Sequence, residues 1–441
     1  MERNRYADLL RVFAIGAVVY GHWLLTSISY QHGQLSGLDA LEHVSWGRWV
    51  TWPFQVMPLF FLVGGNVDAR SWTAHRARGE TWTEFVRARS MRLLWPTAVY
   101  VLVAVLAVIV ARAAGVGPAE LAQAGWLVAL QLWFLPVYLL LIALTPVLLA
   151  IYRRYGLAMP IGMAIAAAAV DGAVLGPHLH VIGYANYLLV WGSMYVWGFG
   201  WQDGSLTRPW WRPYAMSACG VVTLAALLTW GPFPVDMIGA GERITNTSPP
   251  SIALLAFAAA QCGLVLAAAP AMSRLLRRPR LWRLVTRINS TVMTVYLWHM
   301  MPVIVIAVAF YPSGILPQPA IGTGEWWLLR LAWWALLTVV LVPLIELVIW
   351  AERPMKRLPT GIGTTRSWSP LLLVLGLAAS MTGLTKLAIS GFAPGGQPPG
   401  LVLAAFAVGM VSVLLTGRAP PQAAESAAMR EKGPDASRAA A

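Results

Sequence analysis

Nearly the whole chain is divided into apolar runs long enough to cross a bilayer, and this limits its possible folds more than any other feature. A spanning helix needs roughly 20 mostly apolar residues. Twelve runs meet that need, at about 8–28, 49–67, 93–111, 125–151, 157–175, 181–200, 214–230, 251–270, 288–311, 327–350, 369–390 and 400–416. Only 11% of the residues are charged and 58% are hydrophobic, with a mean hydropathy of +0.63. An average soluble domain carries about 25% charged residues. The predicted fold is therefore all-α, a polytopic transmembrane helix bundle. The 23 tryptophans suit interfacial belts and helix packing.

The net charge of +14 would suggest nucleic acid in a soluble protein. No basic segment here carries the interleaved aromatics or the fold signature of a nucleic-acid binder. Membrane orientation explains the charge more simply. With the N-terminus placed in the cytoplasm and the spans alternating, 27 of the 32 basic residues fall on the inner side. Arg48, Arg112, Arg243, Arg330 and Lys386 are left outside. Positive charge concentrates in inner loops, so the expected topology has both termini cytoplasmic. The start MERNR followed by an apolar run lacks a small-residue cleavage site and reads as an uncleaved first span. Cys219 and Cys262 lie in apolar runs, which argues against a disulfide framework. Residues 417–441 read as a disordered, Ala-rich cytoplasmic tail. High Ala, Gly and Arg point to a GC-rich bacterial genome, and so to a bacterial inner membrane.

The informative residues are the polar ones inside these runs. The first span reads DLLRVFAIGAVVYGHW, with Arg11 and His22 eleven residues apart. Eleven steps of 100° make three turns plus about 20°, so the two share one helix face, separated by roughly 16 Å along the axis. Asp8 lies about 40° from the same line. Arg11 belongs near the inner surface and His22 toward the outer one. A snorkelling arginine paired with Asp8, and a histidine bonded to a neighbour, would account for them structurally. Intramembrane ionisable groups are equally candidates for function.

The second span ends PLFFLVGGNVDARSW. Gly64 and Gly65 permit either close helix approach or a break. Asn66 and Asp68 then bring polar groups to its inner end, where a helix end with a turn is the plainest structural reading. FVRARSMRLLWP follows, clustering Arg87, Arg89 and Arg92 before the third span. Arg89 and Arg92 face the same way if helical, and arginine forks suit phosphate. Ordinary inner-side charge is the simpler reading of them. QLWFLPVYLLL lies in span four, and INSTVMTVYLWHMMP brings His299 late in span nine. Span ten carries Glu346 and ends WAERPMKRL. His178 and His180 lack companion ligands, so no metal site is expected. No G-x-S-x-G elbow, Walker A loop or H-E-x-x-H occurs.

Taken in order, these fragments resemble the acyltransferase 3 family of membrane O-acyltransferases. They are Asp8 with Leu10 and Arg11, the Arg11-(ten residues)-His22 spacing, PLFF-x-x-GG at 58–65, Arg89-x-x-Arg92, LWFL at 132–135, VYLWH before Met300, and ERP at 352–354. The resemblance implies a core of about ten spans over residues 1–358, with two additional helices in 359–416. It implies acyl transfer from cytoplasmic acyl-coenzyme A, acetyl-coenzyme A first among the donors, to a hydroxyl of a sugar-containing or lipid acceptor. His22 would be the catalytic base, with Asp68 beside it through a looser G-G-x-x-D match. Arg11, Arg89 and Arg92 would bind the coenzyme, and Asn66 and His299 would meet substrate. A histidine with an ordinary pKa near 6.5 suits the removal of a hydroxyl proton. No activated Ser or Cys is visible, which favours direct transfer. A transporter of a polar metabolite or lipid-linked glycan is the rival reading, though the spans show no repeat. A second rival is the other large class of membrane-bound O-acyltransferases, whose histidine comes late in the chain, as His299 does.

Overall fold

The computed structural model describes residues 4–32, 34–40, 44–239, 244–353 and 369–416. The expected tail at 417–441, the boundary at 358–359, Arg243, Pro354 and the basic residues at 356–366 lie outside them. The described chain is a bundle of sixteen helices: α1 (Arg5–Leu25), α2 (Thr51–Phe54), α3 (Met57–Ala77), α4 (Trp82–Ala113), α5 (Pro118–Ala129), α6 (Phe134–Tyr155), α7 (Ala158–Leu175), α8 (Ala185–Asp203), α9 (Arg212–Trp230), α10 (Ile252–Leu275), α11 (Pro279–Asn289), α12 (Val292–Trp298), α13 (Met301–Phe310), α14 (Gly324–Glu352), α15 (Ser369–Ser390) and α16 (Gly400–Leu415). Among the described residues, nine helical spans are long and apolar enough to cross a membrane, or ten if the bent pair α12–α13 counts as one.

Each of the twelve predicted runs is largely helical, but two of them, α8 and α16, are not among the helices long and apolar enough to cross a membrane. α16 is short, at 16 residues. α8 is enclosed by protein, with Val190 to Val196 all buried, so its surroundings do not demand the hydropathy of a lipid-facing helix.

The structure differs from expectation at three places that shape the site. Residues 29–48 were expected as an outer loop, and part of them forms an antiparallel hairpin of β1 (Thr26–Gln31) and β2 (Gln34–Asp39), with Thr26 opposite Asp39. Span two does not end at Asn66. α3 continues unbroken through Gly64, Gly65, Asn66 and Asp68 to Ala77, so the polar pair is in mid-helix and fully buried. Most of the expected loop at 68–92 is likewise helical, because α4 starts at Trp82 behind a Thr81–Glu84 capping box.

The two glycines of α3 serve close approach, not a break. A Cβ on Gly65 would lie 1.8 Å from the Tyr195 carbonyl oxygen of α8, and one on Gly198 would lie 2.3 Å from the Leu62 carbonyl oxygen. Backbone here packs on backbone, as small residues allow between membrane helices. Gly65→Ala is expected to force α3 and α8 apart and to cost more than the roughly 1–3 kcal/mol of ordinary overpacking. Size-exclusion profiles of detergent extracts would show loss of the monodisperse peak. Gly64→Ala should be milder, because the nearest obstacle is the Tyr138 ring, at 2.6 Å, and not backbone.

The far end of α1 is held by Arg330 of α14, which donates to the Thr26 carbonyl at 2.9 Å and to Ser27 Oγ at 3.1 Å. A cation suits the negative end of a helix. The same guanidinium lies 4.2 Å from the Trp326 ring centroid. His22 therefore sits on a helix end whose position is fixed.

Candidate active site

His22 lies on the last turn of α1 and lines a cavity of about 620 Å³. The walls come from α1 (Ala17, Val18, Gly21), the α2–α3 junction (Phe54, Gln55, Met57), Trp133 just before α6 with Pro136 and Val137 in it, Tyr184 and Tyr187, the pairs Ile238–Gly239 and Thr247–Ser248, and α15. Among the described residues, no Asp, Glu, Lys or Arg lines it.

Behind His22 stands His299. Its Nε2 is 2.8 Å from His22 Nδ1, and the two rings are nearly parallel, at 12°. His299 is fully buried and is not one of the cavity-lining residues. It occupies the break between α12 and α13, where the chain bends by 41° ahead of Pro302. The break leaves carbonyls in need of donors, and side chains supply them. His299 Nδ1 reaches the Tyr296 carbonyl at 2.8 Å, Gln131 Nε2 the Leu297 carbonyl at 3.1 Å, and Trp23 Nε1 the His299 carbonyl at 2.8 Å. The Tyr296 hydroxyl in turn donates to the Gln131 carbonyl.

These partners fix the proton positions for two neutral imidazoles. A carbonyl oxygen only accepts, so His299 Nδ1 carries the hydrogen and its Nε2 is bare. His22 Nδ1 must then donate to that nitrogen. His22 Nε2 is left with its lone pair, on the residue that lines the cavity. That is the state a general base requires.

The second polar cluster is separate. Asp68 forms an ion pair with Arg89 of α4 and accepts hydrogen bonds at Oδ2 from the hydroxyls of Tyr138 (3.1 Å) and Tyr195 (2.9 Å). Four helices, α3, α4, α6 and α8, meet on this carboxylate. Neither Asp68 nor Arg89 lines the cavity. Asp68 is eleven residues along α3 from Met57, which does, or roughly 16 Å at 1.5 Å per residue. Asn66 is fully buried near by, and its side-chain N and O have no hydrogen-bond partner among the described residues. Arg11 is half-buried and pairs with Asp8 at 3.4 Å, while Arg92 is exposed.

The structure thus joins His22 with His299, and Asp68 with Arg89, and sets the two pairs apart. Four cavity contributors were not singled out from the sequence: Gln131, Tyr296, the described ends of the outer loop (Ile238, Gly239, Thr247 and Ser248) and α15. Gln131 had a signal, a lone amide at the head of QLWFL.

Residues 4–351 match the family described as an acyltransferase domain, acyltransferase 3, and the chain belongs to that family. It is a multi-pass membrane acyltransferase. No curated protein and no solved structure matches the chain.

Proposed function

We propose that the protein transfers an acyl group, acetyl in the simplest case, from acyl-coenzyme A to a hydroxyl of a glycan, glycolipid or glycosylated metabolite, with His22 as general base. The observation that carries this reading is the bare Nε2 of His22 on a cavity wall, with its tautomer fixed through His299 by a backbone carbonyl.

In the reaction, the acceptor oxygen attacks the thioester carbonyl as its proton passes to His22 Nε2. A C–O bond forms, the C–S bond breaks, and the coenzyme leaves as a thiolate that takes the proton back from His22 Nε2, restoring the neutral base. The imidazolium of His22 keeps donating through Nδ1 to His299, so His299 acts as a positioning residue. Direct transfer needs no acyl-enzyme.

The donor is assigned to the other end of α1. With the N-terminus cytoplasmic, as the distribution of basic residues favours, Arg92 and the half-buried Arg11 are open to the phosphates of coenzyme A. Arg89 serves them by holding α4 in place against Asp68. The pantetheine arm would reach along α1 over the roughly 16 Å between Arg11 and His22. On this reading the protein resides in a bacterial inner membrane.

Two measurements test the proposal together. Acetyl-coenzyme A should raise the thermal stability of the purified protein. Mass spectrometry of membrane glycans and glycolipids should find an added acyl mass only in cells that express the chain. Absence of both would favour a transporter.

A further inference from the structure

The family match ends at residue 351, yet the cavity that His22 lines is not closed by that segment alone. α15 lies beyond it and contributes Met381, Thr385, Ala388 and Ile389 to the wall. These positions are spaced i, i+4, i+7 and i+8, which is one helix face. α15 is also firmly seated. Gly391, at φ +77°, lets the chain turn against α5, where a Cβ would lie 2.7 Å from the Trp126 backbone nitrogen. The next residue, Phe392, is fully buried against Tyr100 and donates its backbone N–H to the Gly125 carbonyl at 3.2 Å. Tyr100 belongs to the same network as Gln131, which supports the break at His299.

We propose that this face of α15 is the acceptor-selecting wall of the active site, and that it takes an acceptor with a substantial apolar body, of the glycolipid type. The inference rests on the reading of His22 as the base. Three of the four α15 positions are apolar and the fourth offers a hydroxyl. Among the described residues no Asp, Glu, Lys or Arg lines the cavity, so the α15 side of it offers a phosphate or carboxylate no ionic partner in exchange for its hydration. Tyr184 (71% exposed) and Ile389 (67% exposed) are lining residues open to the surroundings, and they mark an apolar mouth between the turn that leads into α8 and the end of α15. An alkyl chain can lie through such a mouth while its head group stays by His22.

The test uses the full chain in nanodiscs, with acetyl-coenzyme A and a series of methyl, hexyl, octyl and dodecyl β-D-glucosides as acceptors. For the unaltered protein, kcat/KM is expected to rise at least tenfold from methyl to octyl. Thr385→Trp and Ile389→Trp add bulk at open positions without displacing buried neighbours. Each should flatten that rise and leave the KM for acetyl-coenzyme A unchanged. Leu375→Trp, on an exposed part of α15 outside the cavity, should keep it. A chain-length dependence that is absent in the unaltered protein, or retained in both tryptophan variants, overturns the proposal, as does lack of transfer to every member of the series. Failure of the acyltransferase reading is distinguishable, because it would also remove the acylated product from membrane extracts of expressing cells.

Discussion

His22→Ala is expected to lower acyl transfer by about 10²–10⁴-fold, the usual worth of a positioned general base, while leaving a folded protein. The side chain is only half-buried and faces a cavity, so its removal strips little packing from the core. The informative comparison is with His299. His299→Leu removes the acceptor for His22 Nδ1–H and frees the ring to turn and to change tautomer. A loss of about 10- to 100-fold is expected, the range found when the outer partner of a functional histidine is removed in metal sites. His299→Gln keeps an acceptor oxygen and should recover part of the loss. The readout is kcat at saturating acyl-coenzyme A, with thermal unfolding as the control for folding. Activity of His22→Ala within twofold of the unaltered protein would sink the base assignment. Equal activities of His299→Leu and His299→Gln, both reduced, would reduce His299 to a packing role.

The second large effect is expected at Arg89, and it is one of stability. Asp68 is fully buried, and Arg89 is its charge partner. Removing one member of such a pair leaves an uncompensated charge in a low-dielectric interior, at a cost of about 3–5 kcal/mol. Arg89→Ala should therefore lower the unfolding temperature sharply and reduce the yield of folded protein. Asp68→Leu combined with Arg89→Met removes both charges and should be less destabilised than Arg89→Ala alone. The difference, in a double-mutant cycle, measures the coupling. If Arg89 acted only on coenzyme phosphates, Arg89→Ala would keep its stability and raise the KM for the donor. That outcome would refute the structural role.

What the sequence made legible follows from the range of the interactions involved. Hydropathy is local, so all twelve helical segments could be found from windows of about 20 residues. The shared face of Arg11 and His22 needed only helix geometry. The contact between His22 and His299 joins residues 277 positions apart, and no periodicity reports it. His299 could be noticed as an intramembrane histidine, but not as the group behind the first. Asn66 and Asp68 were misread as a helix end because polar residues in a span ordinarily mark its limit. Here Arg89, Tyr138 and Tyr195 satisfy the carboxylate in mid-helix, and all three come from other helices. The α15 wall was hidden for a different reason: its cavity residues are apolar like their neighbours, and only tertiary packing separates those that meet the cavity from those that do not.

The contact of Gly65 with Tyr195 and Gly198 has a mechanical consequence. Two helices that touch through their backbones have no side chains between them to re-pack, so α3 and α8 move as one piece. A passage through the bundle therefore cannot open by rocking these two helices apart without breaking that backbone contact.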